Sequence, residues 1–125
     1  MGSKVLLVED NPSVRELISV LLSSEGYEIV EAEDGRDGLT KARQMHPDLM
    51  ILDLMMPGVS GEGVIAELQK DPGFESMPVM VVSGKDEGMS EIKDMLGDEN
   101  VFQKPFEPVR LLNRVVELIG LPNNG

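Results

Sequence analysis

The sequence predicts an α/β fold: (βα)5, a doubly wound parallel five-stranded sheet with helices on both faces. Three observations predict it. Five short apolar runs alternate with five stretches whose apolar residues recur at helical spacing. The clearest runs are unbroken rather than alternating apolar with polar, as strands covered on both faces are, which favours a parallel sheet with right-handed crossovers. Polar residues follow the first, third, fourth and fifth runs at their carboxyl ends.

Each element has its own signals. Lys4–Val8 is the first strand, ending at Glu9-Asp10. Asn11-Pro12-Ser13 supplies capping residues and a proline suited to a helix start. Val14, Leu17, Ile18, Leu21 and Leu22 trace the face of the first helix, which Gly26 is expected to stop. Tyr27–Ala32 is the second strand, and Asp34-Gly35 reads as a turn before a helix carrying Leu39, Ala42 and Met45. Leu49–Leu52 is the third strand and runs into Asp53. Pro57-Gly58 and Gly61 form a loop before a helix with Val64, Ile65 and Leu68. Pro78–Val82 is the fourth strand, ending at Ser83-Gly84, and Met89, Ile92, Met95 and Leu96 mark the fourth helix. Asn100–Gln103 is a shorter fifth strand ending at Lys104-Pro105. The fifth helix carries two apolar stripes, Val109, Leu112, Val116 and Ile119 on one and Leu111, Val115 and Leu118 on the other. One stripe covers the sheet; the second widens the core face or meets a partner. The pattern assigns residues 4–120 to one domain, 1–3 to a native start or a remnant of cloning, and 121–125 to a tail or the start of a linker.

Composition bounds the function. Of 125 residues, 41 % are hydrophobic and 27 % charged, an ordinary globular balance. There is no cysteine, which excludes disulfides and thiolate metal sites. No apolar run approaches membrane-spanning length and no secretory signal opens the chain, so a cytoplasmic protein with no membrane partner is expected. A net charge of −12 repels phosphate backbones and argues against direct nucleic-acid binding. His46, the one histidine, precedes Pro47 and is expected in solvent or at a helix C-terminus rather than on a metal. Most of the nine methionines fall at core periods, while Met55-Met56 border the polar cluster and would help exclude water from it.

The polar interruptions carry the chemistry. In open α/β sheets, ligands bind beyond the carboxyl ends of the strands at the topological switch point. With strand order 2-1-3-4-5, strands one and three meet there and bring Glu9, Asp10 and Asp53 into one crevice, with Ser83 and Lys104 close by. Three clustered carboxylates repel one another unless a cation compensates, and Mg²⁺ with oxygen ligands and open positions suits them. Lys104 matches a phosphate as a point charge, and Ser83 can donate to one. Asp53, on the central strand, is the natural nucleophile for an aspartyl phosphate, with Glu9 and Asp10 as metal ligands beside it.

Four motifs at four strand ends carry a family resemblance: Val-Glu9-Asp10-Asn, Leu52-Asp53-Leu-Met-Met-Pro57-Gly58-x-x-Gly61, Val82-Ser83-Gly84 and Lys104-Pro105-Phe106. Over residues 4–120 the chain resembles a response-regulator receiver domain of two-component signalling, whose sheet is flavodoxin-like. The resemblance implies that Asp53 accepts a phosphoryl group from a histidine kinase or histidine phosphotransfer domain. It implies Mg²⁺ held by Glu9 through water, by Asp10, by Asp53 and by the backbone carbonyl of Met55. Ser83 would bind a phosphoryl oxygen and Gly84 would leave room for the group. Lys104 would pair with phosphate, or with Asp53 when phosphate is absent. A cis Lys104–Pro105 peptide is implied against a base rate of roughly 5–6 %. The fourth helix, fifth strand and fifth helix would form the face for an output domain or a homodimer.

One position departs from the family pattern: Val101 stands where Tyr or Phe is common, and Phe102 should point to the opposite face. The stretch from Ser83 to Lys104 is about one residue shorter than is usual in the family, so the fourth helix or its loop is expected to differ. The function implied is a phosphorylation-dependent signalling switch that changes its partner-binding surface, and two other functions compete with it. A hydrolase or phosphotransferase needs a second acid/base group near the nucleophile, and Met55 cannot do proton chemistry. Catalysis is therefore expected only of the domain's own phosphorylation and dephosphorylation. A pseudo-receiver scaffold that ignores phosphate would not require the intact Asp53, acid pair, serine and lysine.

Overall fold

A computed structural model describes residues 3–56, 58–84 and 87–122. The elements are β1 (Lys4–Val8), α1 (Pro12–Ser23), β2 (Glu28–Ala32), α2 (Gly35–Met45), β3 (Leu49–Leu52), α3 (Gly61–Gln69), β4 (Val79–Ser83), α4 (Met89–Leu96), β5 (Val101–Gln103) and α5 (Pro108–Ile119). Short 3₁₀ turns, Pro72–Phe74 and Asp98–Asn100, precede β4 and β5. The strands pair in parallel in the order β2-β1-β3-β4-β5, as the alternating pattern predicts.

The sheet is buried because both faces of its central strands are apolar. Alternate residues of β1 separate cleanly. Leu6 and Val8 join Met50, Leu52 and Val81 under α2, α3 and α4. Val5 and Leu7 join Leu49, Ile51, Met80 and Val82 under α1 and α5, which contribute Ile18, Leu22, Leu111 and Val115. On α5 the stripe of Leu111 and Val115 is therefore the core stripe, while Val109 is exposed. Four methionines, Met50, Met56, Met80 and Met89, are buried as expected, but Met55 and Met95 lie largely in solvent.

Local signals set most boundaries. Asn11 caps α1 by accepting from the Ser13 and Val14 amides, with Pro12 in the first turn. Asp34-Gly35, read from sequence as a turn, is instead a helix start: the Asp34 carboxylate caps α2 by accepting from Asp37 N–H at 2.8 Å. α1 ends at Ser23, and Gly26 takes the left-handed φ of 101° in the turn that follows. β2 begins at Glu28 rather than Tyr27, whose buried ring sends its hydroxyl to the Gly120 carbonyl at 2.6 Å. Pro78 lacks an N–H and lies just outside β4, though its carbonyl accepts from Met50 N–H at 3.1 Å. Asn100 ends a 3₁₀ turn instead of opening β5. His46 is an exposed C-cap of α2 with φ 47°, stacked on Phe74 at 5.8 Å between ring centroids. Pro57 and residues 123–125, which belong to the expected loop and tail, lie outside the described residues, as does most of the 1–3 segment.

Gly61 shows how tightly the connection after β3 is held. A Cβ there would stand 2.4 Å from Leu54 Cα and 2.6 Å from the Asp53 carbonyl oxygen, both backbone atoms that cannot step aside. The helix-propensity gain of an alanine, at most about 1 kcal/mol, is outweighed by overpacking of about 1–3 kcal/mol or more. Gly61→Ala is expected to unfold at lower urea with an unchanged slope; a midpoint equal to wild type would show that the connection yields.

Candidate functional site

Backbone bonds carry three strand ends one residue past the sheet and so aim the polar side chains. Glu9 N–H donates to Ala32 O at 3.0 Å, Asp53 N–H to Val8 O at 3.0 Å, and Lys104 N–H to Ser83 O at 2.9 Å. Glu9 and Asp53 are buried, at 1 % and 3 % exposure, and Asp10 is exposed. Each of the three offers one carboxylate oxygen within 4.8 Å of the other two.

The buried pair is held by defined donors. Glu9 Oε2 accepts from Asn11 N–H at 3.1 Å and Asp53 Oδ1 from Met55 N–H at 3.1 Å. Lys104 Nζ stands 3.0 Å from Glu9 Oε1 and 3.4 Å from Asp53 Oδ2. The expected partner of Lys104 was Asp53; the ammonium bridges both carboxylates and is nearer to Glu9. The Asp10 carboxylate makes no hydrogen bond or ion pair among the described residues, and it faces water.

Electrostatics follow from this crowding. Burial pushes the Glu9 carboxyl up to about 7; the Lys104 ammonium opposes that rise, and the charge of Asp53 adds to it. Burial works to lower Lys104, but the bond and charge of Glu9 and the charge of Asp53 outweigh it, so its pKa is raised and the ammonium stays charged. Three oxygen ligands around one crevice, one of them unpartnered, fit a hard divalent cation such as Mg²⁺ in donor type, and leave positions for water and a phosphoryl oxygen.

The other expected residues cluster nearby. Ser83 is fully buried at the end of β4. Space beside Gly84 is open: a Cβ there would meet nothing within 4 Å. A surface cleft of about 720 Å³ is lined by residues including Met55, Met56, Ser60, Glu62 and Gly84. Met55, 57 % exposed, sits at its lip rather than sealing it. The Lys104–Pro105 peptide is cis. Val101 packs on the α2–α3–α4 side and Phe102 on the α1–α5 side, so this strand puts no aromatic ring on the face under α4. α4 spans only eight residues before Gly97 turns the chain at φ 94°.

Sequence reasoning missed Arg15, whose guanidinium Nη1 donates to Glu9 O at 2.8 Å. The available signal was an arginine in the opening turns of the helix that follows the acid pair.

Comparison with known proteins agrees with this geometry. The model of the response regulator receiver domain matches residues 5–116. The DNA-binding response regulator MtrA of Mycolicibacterium smegmatis is 34 % identical over 116 residues, which cover 92 % of this chain and 50 % of that protein. Hybrid signal transduction histidine kinase D of Dictyostelium discoideum is 38 % identical over 116 residues, 92 % of this chain and 7 % of that protein. The chain thus spans about half the length of the MtrA relatives it matches and a small part of the hybrid kinase. Among solved structures, response regulator TrrA of Thermotoga maritima in complex with Mg²⁺-BeF superposes with a TM-score of 0.82 at 33 % identity, covering 93 % of this chain and 98 % of that one. The receiver domain of a sensor histidine kinase of Pseudomonas aeruginosa, with magnesium coordinated in its active-site cleft, gives 0.84 at 26 % identity, covering 96 % and 99 %.

Proposed function

The chain belongs to the response regulator receiver domain family and serves phosphorylation-dependent signalling with Mg²⁺, and from that premise we propose that Asp53 is its phosphoryl acceptor. One observation carries the assignment. Asp53 ends the central strand beside Glu9 and Asp10, and Lys104 reaches the same carboxylates from the other side. In the step, an Asp53 carboxylate oxygen attacks phosphorus. The bond from phosphorus to the donor, a phosphohistidine nitrogen or the oxygen of acetyl phosphate, breaks, and the donor leaves with the electron pair. Glu9, Asp10, Asp53 and the Met55 carbonyl would hold Mg²⁺, which when bound neutralises charge on the transferring group. Asp53 already has Oδ1 fixed by Met55 N–H, so Oδ2, facing Lys104, is the oxygen placed to react. Lys104 would move from the carboxylates to the new phosphoryl oxygens. Ser83 would bind one of those oxygens, and open space at Gly84 admits the group.

The donor in this reading is a histidine kinase or histidine phosphotransfer domain, acting in the cytoplasm, and the chain catalyses only its own phosphorylation and dephosphorylation. The face formed by α4, β5 and α5 would meet an output domain or a second copy. A membrane surface or nucleic acid is not among its proposed contacts; no helix among the described residues is long and apolar enough to cross a membrane. Loss of phosphate chemistry, the scaffold alternative, finds no damaged position among Glu9, Asp10, Asp53, Ser83 and Lys104.

Incubation with acetyl phosphate and Mg²⁺, followed by intact-mass measurement, tests the reading. One phosphoryl group per chain, lost when EDTA replaces Mg²⁺, is expected. An unmodified chain with unconsumed acetyl phosphate would instead support the scaffold.

A further inference from the structure

We propose that Arg15 is a positioning residue for the cation site, acting through the peptide that joins Glu9 to Asp10; the inference rests on the metal-dependent reading above. Arg15 lies in the opening turns of α1, where its N–H donates to Asn11 O at 2.9 Å. Its guanidinium turns back over the connection from β1. Nη1 donates to Glu9 O at 2.8 Å, and Nε stands 3.4 Å from Glu31 Oε1 on β2. Glu31 is held in turn: Oε2 accepts from Ser19 Oγ, and its backbone carbonyl accepts from Lys41 Nζ at 2.6 Å. The Arg15 side chain is only 16 % exposed, so this arrangement is largely screened from competing water.

The consequence falls on Asp10. Glu9 has its N–H pinned to Ala32 O and its C=O pinned to Arg15. That carbonyl belongs to the same planar unit as the Asp10 N–H, so fixing it fixes the direction from which Asp10 leaves the backbone. The Glu9 and Asp53 carboxylates have Lys104 and backbone amides to orient them. The Asp10 carboxylate has no such partner among the described residues, and its aim at a cation depends on its backbone.

Two effects of Arg15 oppose each other, and their signs differ. A positive charge near three carboxylates weakens cation binding by repulsion, but Glu31 beside the guanidinium offsets that charge and salt screens the remainder. Orientation of a ligand by an outer partner strengthens binding, and losing such a partner typically costs about 10–100-fold in metal affinity. Orientation therefore wins, and removing Arg15 weakens Mg²⁺ binding although it removes a repulsive charge.

Calorimetric titration of the whole chain with MgCl₂ at fixed ionic strength tests this, with urea unfolding to confirm that each variant folds. Arg15→Met is expected to bind Mg²⁺ about tenfold more weakly. Its phosphorylation by acetyl phosphate should slow at low Mg²⁺ and recover as Mg²⁺ is raised. Arg15→Lys keeps the charge and one donor but loses the fork, so its loss is smaller and purely geometric; it decides the matter if Arg15→Met does not fold. Binding equal to or tighter than wild type in the folded variant overturns the positioning role. A wild-type chain that binds no Mg²⁺ overturns the metal reading itself, and this inference with it.

Discussion

Asp53→Asn is expected to take up no phosphoryl group under conditions that modify the wild-type chain, a fall of more than about 10³-fold in rate, as removal of a covalent nucleophile produces. The amide keeps an oxygen that can accept from Met55 N–H, so the local fold has no reason to change. What it lacks is an anionic oxygen to attack phosphorus. The same substitution has a second effect that separates lost chemistry from lost structure. The charge of Asp53 is one of the causes that raise Glu9. Without it, Glu9 keeps Lys104 to itself, ionises more readily and is stabilised by its partner. The metal-free variant should therefore be more stable than wild type at pH 8, by about 1 kcal/mol, the scale of one partly screened charge repulsion. Intact mass and urea unfolding read the two effects. A phosphoryl group still gained by Asp53→Asn would move the acceptor to another residue, with Asp10 the first to examine because it is exposed beside the same crevice.

Much of this site was legible because the chemistry sits where apolar runs stop. Leu49–Leu52 is buried on both faces, so the first polar residue after it falls at the carboxyl end of the sheet. The same logic placed Glu9-Asp10, Ser83 and Lys104, and the family motifs supplied the roles proposed for them and the cis Lys104–Pro105 peptide, which the structure contains. Strand and helix identity followed from periodicity for the same reason: the sheet is covered on both sides and tolerates few polar residues.

The rest was set by contacts between side-chain tips, which spacing does not encode. Lys104 bridges Glu9 and Asp53, nearer to Glu9, because the ends of β1 and β3, neighbours in the sheet, set the two carboxylates side by side and the reach of a lysine from the end of β5 spans both. Arg15 was passed over because an arginine on an early helical turn usually faces solvent; here Glu9 O and Glu31 draw it inward. Asp34-Gly35 carries a turn signal and a cap signal at once. Burial of Gly35, where a Cβ would meet Val59 O at 2.4 Å, decides for a helix start packed on the connection after β3.

Without a bound cation the protein is expected to lose about 3 kcal/mol of stability between pH 5 and pH 8, and excess Mg²⁺ is expected to remove most of that loss. The sign follows from Glu9, whose carboxyl titrates near 7 in the folded chain against 4.5 as its ordinary value. Between those values the folded state holds a proton that the unfolded state has released. Stability from this group is thus complete below about pH 4.5 and declines as pH rises through 7, by about 3 kcal/mol for the whole interval. Glu9 is 1 % exposed, so solvent does little to soften the effect. Lys104 is also raised, but its contribution persists until pH passes its own folded value, above this window. For a domain of this size the change corresponds to a melting temperature lower by about 10 °C at pH 8 than at pH 5. A divalent cation favours the ionised carboxylate, so Mg²⁺ and the proton compete for Glu9 and Mg²⁺ affinity should tighten as pH rises. At a hundredfold excess over its dissociation constant, Mg²⁺ adds about 2.7 kcal/mol, enough to offset most of the loss at pH 8. Urea unfolding across this range, with EDTA or with excess Mg²⁺, reads both effects. Stability that rises from pH 5 to pH 8 in EDTA would show that the Lys104 ammonium outweighs burial and keeps Glu9 ionised throughout.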